Sequence, residues 1–375
     1  MYTLVSLGSV SRVKDHTKQK QSKYNTVGFS NEGVFETLNV HSKYTKILSG
    51  ATNMALAENT KSQYRTAVKH IERIQTDLNI DMSLPFTIGK TLNYVGYLLD
   101  DRSCSSKTVA QYLSGVRMLH LCNGMDVAAL RPPIINLILK GREHWENIQE
   151  TLKNKPKRVP VTISVMKYLK RILTETKMND EKKIRLWLIC CLLWNGSLRV
   201  HELLSRNRDS FDPITTLRCE DIELVSFFDG GVKKSLLRIH LKSPKERRVG
   251  TGVKLEIFSN GTFCCPIRAW GKWSKMVTLE PGLPLFREGP KYFTGRDFNK
   301  LLTGLTKDIT DGTDGVIKPH SFRSGVATEM GLRGFSDSEI QQQGRWTSQA
   351  FKAYLKLDRV KRLKFTERLS EMLKD

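Results

Sequence analysis

The chain has 375 residues, of which 61 are Lys or Arg and 38 are Asp or Glu, a formal charge of +23 at pH 7. That length suits two domains, and 39% apolar residues can bury a core, while 12 prolines and 26 glycines are too few for a low-complexity or collagen-like chain. The charge favours a polyanionic partner, nucleic acid or an anionic membrane surface, and the longest apolar run, 186–194, is well short of the roughly 18 residues of a membrane span.

The start, MYTLVSLGSVSRVK, lacks a charged region before a short apolar stretch and is a poor signal peptide. Seven cysteines, none in a C-x-x-C arrangement, suit buried free thiols in a reducing compartment better than a disulfide framework or a zinc site. These features predict a soluble intracellular protein.

Residues 1–50 are polar, basic and weakly periodic, and are expected to be flexible or only locally ordered. A helix is predicted from Asn59–Thr60, with Tyr64, Ala67, Val68, Ile71 and Ile74 at helical spacing. Further helices are expected over 87–99, 105–121 and 132–144, making a helical unit over 51–146. The polar, basic, proline-punctuated segment 147–160 reads as a linker. Its KNKPKR core, with Lys155, Lys157 and Arg158, suits contact with phosphates, or a nuclear import signal.

A second domain, 161–357, opens with helices at 164–174 and 182–194 and a short one in SLRVHELLS. The period then changes: 222–228, 236–241 and 248–258 read as three antiparallel strands. Helices return at 265–276, 295–309, 321–331, 336–343 and 348–357. The tail, 358–375, suits a helix with an apolar stripe, packed either on its own domain or on a neighbouring protomer. The expected fold is mainly helical with a small antiparallel sheet.

Four short segments of the second domain carry chemistry-bearing side chains. Arg199 and Glu202 share a helical face in Ser197-Leu-Arg-Val-His-Glu202, a pattern that serves an anion clamp or an ordinary ion pair. Lys242 and Lys245 lie in LKSPKERR, at a turn between predicted strands. His320 and Arg323 stand at a helix start, where free N–H groups attract phosphate. Gly344-Arg345-Trp346 precedes Tyr354, which follows Trp346 by eight residues.

In this order the segments resemble the catalytic domain of the tyrosine recombinases, the phage-integrase-like DNA breaking–rejoining enzymes. The matching pieces are SLRVHELL, IHLKSPKERRV, HSFRSGVATEM and GRWTSQAFKAYLK. The HSFR and GRW wording is similar to eukaryotic mobile-element members, the Crypton and DIRS-like recombinases. The region 52–146 is similar to the family's core-binding domain. The resemblance spans about 50–365, strongest over 185–357.

The resemblance implies roles residue by residue. Arg199 and Arg323 would hold the scissile phosphate, Lys242 would be the hairpin lysine, with Lys245 as rival, and His320 would open the His-x-x-Arg box. Trp346 would occupy the family's His/Trp position, Tyr354 would be the nucleophile and Glu202 the supporting acid. The Trp-to-Tyr spacing is eight where many members have nine, which leaves Arg345 one position away. Arg247 and Arg345, with Lys245 and the linker cations, would contact DNA.

Those residue types suit attack on a phosphodiester. Guanidiniums bind the nonbridging oxygens bidentately and stay charged. The tyrosine proton needs an acceptor, for which His320 is the candidate. The leaving 5′ oxygen needs a proton, which Lys242 can give. Energy kept in a phosphotyrosine makes ATP unnecessary, and the sequence has no G-x-x-x-x-G-K-[ST] loop. No metal or other cofactor is expected.

The resemblance therefore implies a site-specific recombinase that integrates or excises a transposon through a 3′-phosphotyrosine. It would act on double-stranded DNA, with no membrane as partner, as a homo-oligomer, a tetramer on two sites, in the nucleus if eukaryotic and otherwise in the cytoplasm. The alternatives are a type IB topoisomerase-like enzyme and a domesticated DNA-binding protein without catalysis.

Overall fold

The structure is a computed structural model that describes residues 41–56, 58–152, 157–242, 252–310 and 315–355. It divides into two compact units, with the boundary after Lys153.

The first unit is helical: α1 (Ser42–Met54), α2 (Glu58–Leu78), α3 (Ile88–Leu99), α4 (Ser106–Leu121) and α5 (Pro133–Leu152). Thr87 and Ser105 cap α3 and α4 by accepting the N–H three residues on. Ala67, Val68, Ile71 and Ile74 of α2 pack with Tyr94, Val95 and Leu98 of α3 and with Val109, Leu113, Val116 and Leu119 of α4. The buried His120 ties the end of α4 to the segment before α3: Nδ1 lies 2.9 Å from the Val116 carbonyl and Nε2 accepts the Phe86 N–H at 2.8 Å.

Helix α1 starts at Ser42, inside the segment expected to be flexible or only locally ordered; its buried positions are Thr45 and Ser49, while Tyr44, Ile47 and Leu48 stay exposed. An apolar periodicity search reads that face backwards. Helix α5 continues to Leu152, into the predicted linker, because NIQETL contains no helix breaker.

In the second unit β1 (Lys157–Arg158) runs parallel to β7 (Gly315–Val316). Helices α6 (Ile163–Glu175) and α7 (Asp180–Asn195) follow, then α8 (Val200–Leu203). The strands β2 (Ile222–Asp229), β3 (Val232–Leu241) and β4 (Val253–Phe258) form an antiparallel sheet in the order β2-β3-β4. Next come α9 (Pro266–Met276), the short hairpin β5 (Arg287–Glu288) and β6 (Lys291–Tyr292), α10 (Gly295–Leu305), α11 (Lys307–Thr310), α12 (Ser321–Leu332) and α13 (Asp337–Gly344). A 3₁₀ helix spans Gln349–Tyr354.

Helix α7 is the centre of the unit. Every residue from Leu186 to Leu193 is buried, which is why its pattern is continuous rather than amphipathic. It packs against α6, α9 and α12, and the sheet adds Leu237, Ile239 and Ile257 to the same core. The fold is thus mainly helical with a small three-stranded antiparallel sheet, as the sequence predicts, and two short strand pairs besides it among the described residues.

The segment 157–161 is a strap on this unit rather than linker. Val161 is fully buried, its N–H donates to the Ser321 carbonyl at 2.9 Å, and its carbonyl accepts the Trp194 indole N–H at 3.0 Å. Gly325 lets the strap cross α12, since a Cβ there would lie 2.0 Å from the Val161 carbonyl oxygen. Two other boundaries differ from expectation: Thr306 breaks the predicted 295–309 helix into α10 and α11, and the predicted 348–357 helix is the 3₁₀ turn just described. The first part of the predicted 248–258 strand and the 358–375 tail lie outside the described residues.

Candidate active site

The site is built around the turn that leaves α7. Ser197 is fully buried with φ +45°, a left-handed backbone that aims its carbonyl inward. Arg323, on the first turn of α12, donates to that oxygen from Nη1 at 2.5 Å and to the Gly344 carbonyl from Nη2 at 2.6 Å. Its side chain is 1% exposed. The Trp346 ring lies 4.9 Å from the guanidinium carbon, in stacking range.

Arg199 is the residue before α8. The Glu202 carboxylate accepts the Arg199 backbone N–H at 2.8 Å and Nη1 at 3.0 Å. Its other partner comes from far away: Arg345 Nη2 donates to Glu202 Oε2 at 2.9 Å and stands 3.5 Å from the Ser197 carbonyl. Burial alone would raise the Glu202 carboxyl, but the Arg345 charge, the Arg199 N–H and the Arg199 charge outweigh it and hold the group below the usual carboxylate range.

Arg345 reaches Glu202 because it is the left-handed cap of α13, with φ +54°. Gly344 before it is forced by packing, since a Cβ would lie 1.8 Å from the Trp346 ring. Arg345 Nε and Nη1 are buried and have no hydrogen-bond partner among the described residues. Unused buried guanidinium donors are costly unless an anion arrives. The geometry therefore separates two adjacent residues. Arg345 turns toward Glu202 and the Arg199 side, while Trp346 packs on Phe351, ring centroids 5.8 Å apart, and on Arg323.

Lys242, just after β3, shares an open cavity with Glu202, Asp221 and His240. Its Nζ donates to Asp221 Oδ2 at 2.6 Å and to the Pro213 carbonyl at 3.2 Å. His320 precedes α12 and is half-buried. Tyr354 ends the 3₁₀ helix whose Phe351 is fully buried. Arg158 and Lys157 lie on β1, opposite Val316 and Gly315 of the strand that leads toward His320. Lys155, Lys245 and Arg247 lie outside the described residues.

The sequence reading did not single out Ser197, whose contribution is a backbone carbonyl, or Asp221, which a solvated RCED turn disguises. For Arg345 the sequence implies a DNA contact one position away from the family's His/Trp place, not a partner for Glu202. The one available signal was its spacing of nine residues from Tyr354.

No protein-family model and no curated protein matches the sequence. Solved structures do match. The XerH site-specific recombinase, bound to palindromic difH substrate in a post-cleavage complex, is 14% identical with a TM-score of 0.53, over 91% of this chain and 89% of its own. The Tn1549 transposon integrase, in complex with transposon right end DNA, is 14% identical with a TM-score of 0.52, over 87% of this chain and 98% of its own. The pre-cleavage complex of XerH with difH gives 12% and 0.52, over 92% and 87%. Coverage near the whole of both chains at such low identity is what a shared fold with diverged sequences looks like, and the fold of this chain is that of the tyrosine recombinases.

Proposed function

We propose that the chain is a site-specific DNA recombinase that cuts and rejoins duplex DNA through a 3′-phosphotyrosine, in the integration or excision of a transposable element. The observation that carries this reading is the meeting of Arg199, Arg323 and Arg345 at one turn, with Glu202 between two of them and Lys242 in the same cavity as Glu202. A lone structural ion pair needs one arginine. Several converging guanidiniums, with unused donors on Arg345, suit a dianionic phosphorane-like transition state.

In the proposed step the Tyr354 oxygen attacks phosphorus and His320 accepts the phenolic proton. The bond from phosphorus to the 5′ oxygen breaks, and Lys242 protonates that oxygen. The guanidiniums hold the nonbridging oxygens throughout. Rejoining is the reverse step with another strand's 5′ hydroxyl, which needs no external energy source. The recombinase neighbours solved with their DNA support duplex DNA as the partner, and so does the charge of +23. Lys155, Lys157, Arg158, Lys245 and Arg247 are proposed to contact phosphates, with assembly as a tetramer on two sites and action in the nucleus if the host is eukaryotic.

The test is a nicked suicide duplex, chosen from a random-sequence pool by binding to the full chain. The wild type should form a covalent adduct that survives denaturation. Tyr354→Phe should abolish it and keep duplex affinity within about twofold, because only the nucleophilic oxygen is lost. A binding protein without catalysis would give no adduct with either protein.

A further inference from the structure

The lysine at the base of the β3–β4 hairpin is anchored by a buried carboxylate. Asp221 is 5% exposed and ends the 3₁₀ turn Cys219–Asp221 directly before β2. The register Ile222↔Ile239 puts that turn beside the end of β3, where Lys242 follows. Besides Lys242 Nζ, Asp221 Oδ2 accepts the Arg218 backbone N–H at 2.9 Å. Arg218 Nε stands 3.5 Å from the same oxygen, an ion-pair rather than a hydrogen-bond separation. The turn itself is clamped to the 282–285 segment by Cys219 N–H to the Leu283 carbonyl at 3.0 Å and Leu285 N–H to the Leu217 carbonyl at 3.0 Å. The carboxylate is therefore fixed to rigid backbone independently of the lysine.

A lysine has a flexible four-carbon stem and three N–H donors. On a hairpin its ammonium would otherwise range through solvent. Here the side chain is 21% exposed, and among the described residues two acceptors, Asp221 Oδ2 and the Pro213 carbonyl, direct it. That leaves one N–H for a third acceptor, in the cavity that Glu202 also lines.

We propose that Asp221 is a positioning residue: it holds the Lys242 ammonium at the cavity beside Glu202 so that the remaining N–H meets the leaving 5′ oxygen of DNA. This rests on the reading of Lys242 as the proton donor. In that step the Tyr354–phosphorus bond forms, the bond from phosphorus to the 5′ oxygen breaks, one ammonium proton moves to that oxygen, and a neutral amine remains. Asp221 never touches the DNA. Its effect is confined to the leaving group, and this separates it from a merely structural acid.

The experiment uses the full chain and the selected duplex, with its cleavage point mapped from the adduct. The duplex is then resynthesised with either oxygen or sulfur at the bridging 5′ position. A sulfur leaving group departs as a thiolate, whose conjugate acid ionises near pH 8.5, so it needs no proton donor. Asp221→Asn should slow single-turnover adduct formation on the oxygen duplex about 100-fold, with duplex affinity within about threefold, and sulfur should restore the rate to within about threefold of wild type. Lys242→Ala should show the same rescue. Asp221→Glu, which keeps the charge on a longer stem, should be less impaired on oxygen and likewise rescued, and it serves if the Asn variant does not fold. An Asp221 variant that is as fast as wild type on oxygen, or equally slow on both duplexes, overturns the positioning role while the rescue of Lys242→Ala upholds the donor reading. A Lys242→Ala protein that sulfur does not rescue overturns the donor reading, and the proposal with it.

Discussion

Arg323 and Ser197 are joined by a 2.5 Å hydrogen bond from a guanidinium to a backbone carbonyl across 126 residues of sequence. The bond fastens the first turn of α12 to the turn that leaves α7, two residues before Arg199. The two arginine segments, far apart in sequence, are thus one mechanical piece. Because Arg345 reaches the same carbonyl and the carboxylate of Glu202, the end of α13 belongs to that piece too.

Arg345 and Trp346 are neighbours with different surroundings. Arg345→Ala should cost roughly 10²–10³ in single-turnover adduct formation, the range for removing one preorganised donor to developing charge. Trp346→Phe keeps an aromatic face over Arg323 and should cost less than about tenfold by the same measure. The opposite ranking would move the phosphate-facing role to the indole.

Gly344→Ala places a methyl where the Trp346 ring lies. The ring must shift, and the Gly344 carbonyl that holds Arg323 shifts with it. The expected loss is about 1–3 kcal/mol of stability, as for overpacking elsewhere, together with a slower adduct. Thermal melting and single-turnover cleavage of one preparation check both. A protein that melts normally and cleaves normally would show that the turn absorbs the methyl.

Glu202 is a buried anion between two guanidiniums. Its carboxyl is lowered from 4.5 in the folded protein, so the unfolded chain takes up its proton first as pH falls. The stability it contributes is full above 4.5 and is lost as pH drops through the folded value. Glu202→Gln should destabilise by about 3 kcal/mol at neutral pH, because two half-buried guanidiniums lose their buried counter-charge. The gap between the wild-type and variant melting temperatures should narrow below pH 4.5.

His70, in the first unit, reports the same linkage with the other charge type. Burial, then the charges of Arg102 and Arg73, lower it from 6.5 to about 4, and its ring packs between Tyr97 and Tyr112. The neutral form is the folded form. Stability should therefore be full above pH 6.5 and should decline as pH falls toward 4. His70→Leu should flatten that part of the melting profile, and an unchanged slope would assign it to other groups.

How far the sequence revealed this molecule depends on where each element puts its buried side chains. Helix α7 was readable because 186–193 is apolar on every face, and β2 and β3 because their β-branched residues end at FDGG. Helix α1 was not, because Thr45 and Ser49 carry its inner face. The strap is hidden by Pro160 and its basic residues, although Val159 and Val161 alternate, half-buried and buried, as a strand end does. The functional segments were visible as words in order. Their internal aim was not: a left-handed φ at Arg345 decides which of two adjacent residues turns toward Glu202, and no residue type announces it. Asp221 acquires its meaning only when the end of β3 is brought beside it.

The strap across α12 sets where this unit can be shortened. Val159 N–H donates to the Val316 carbonyl, Val161 N–H to the Ser321 carbonyl, and the Val161 carbonyl receives the Trp194 indole. A fragment that starts at Thr162 would strip partners from β7, from α12 and from the end of α7 at once, and would uncover the Gly325 face of the helix that carries Arg323. A fragment that starts before Lys157 keeps all of them. Composition would put the natural cut at the basic, proline-rich stretch, but the hydrogen bonds put it upstream, so residues that look like packaging are part of the frame that holds the first turn of α12 in place.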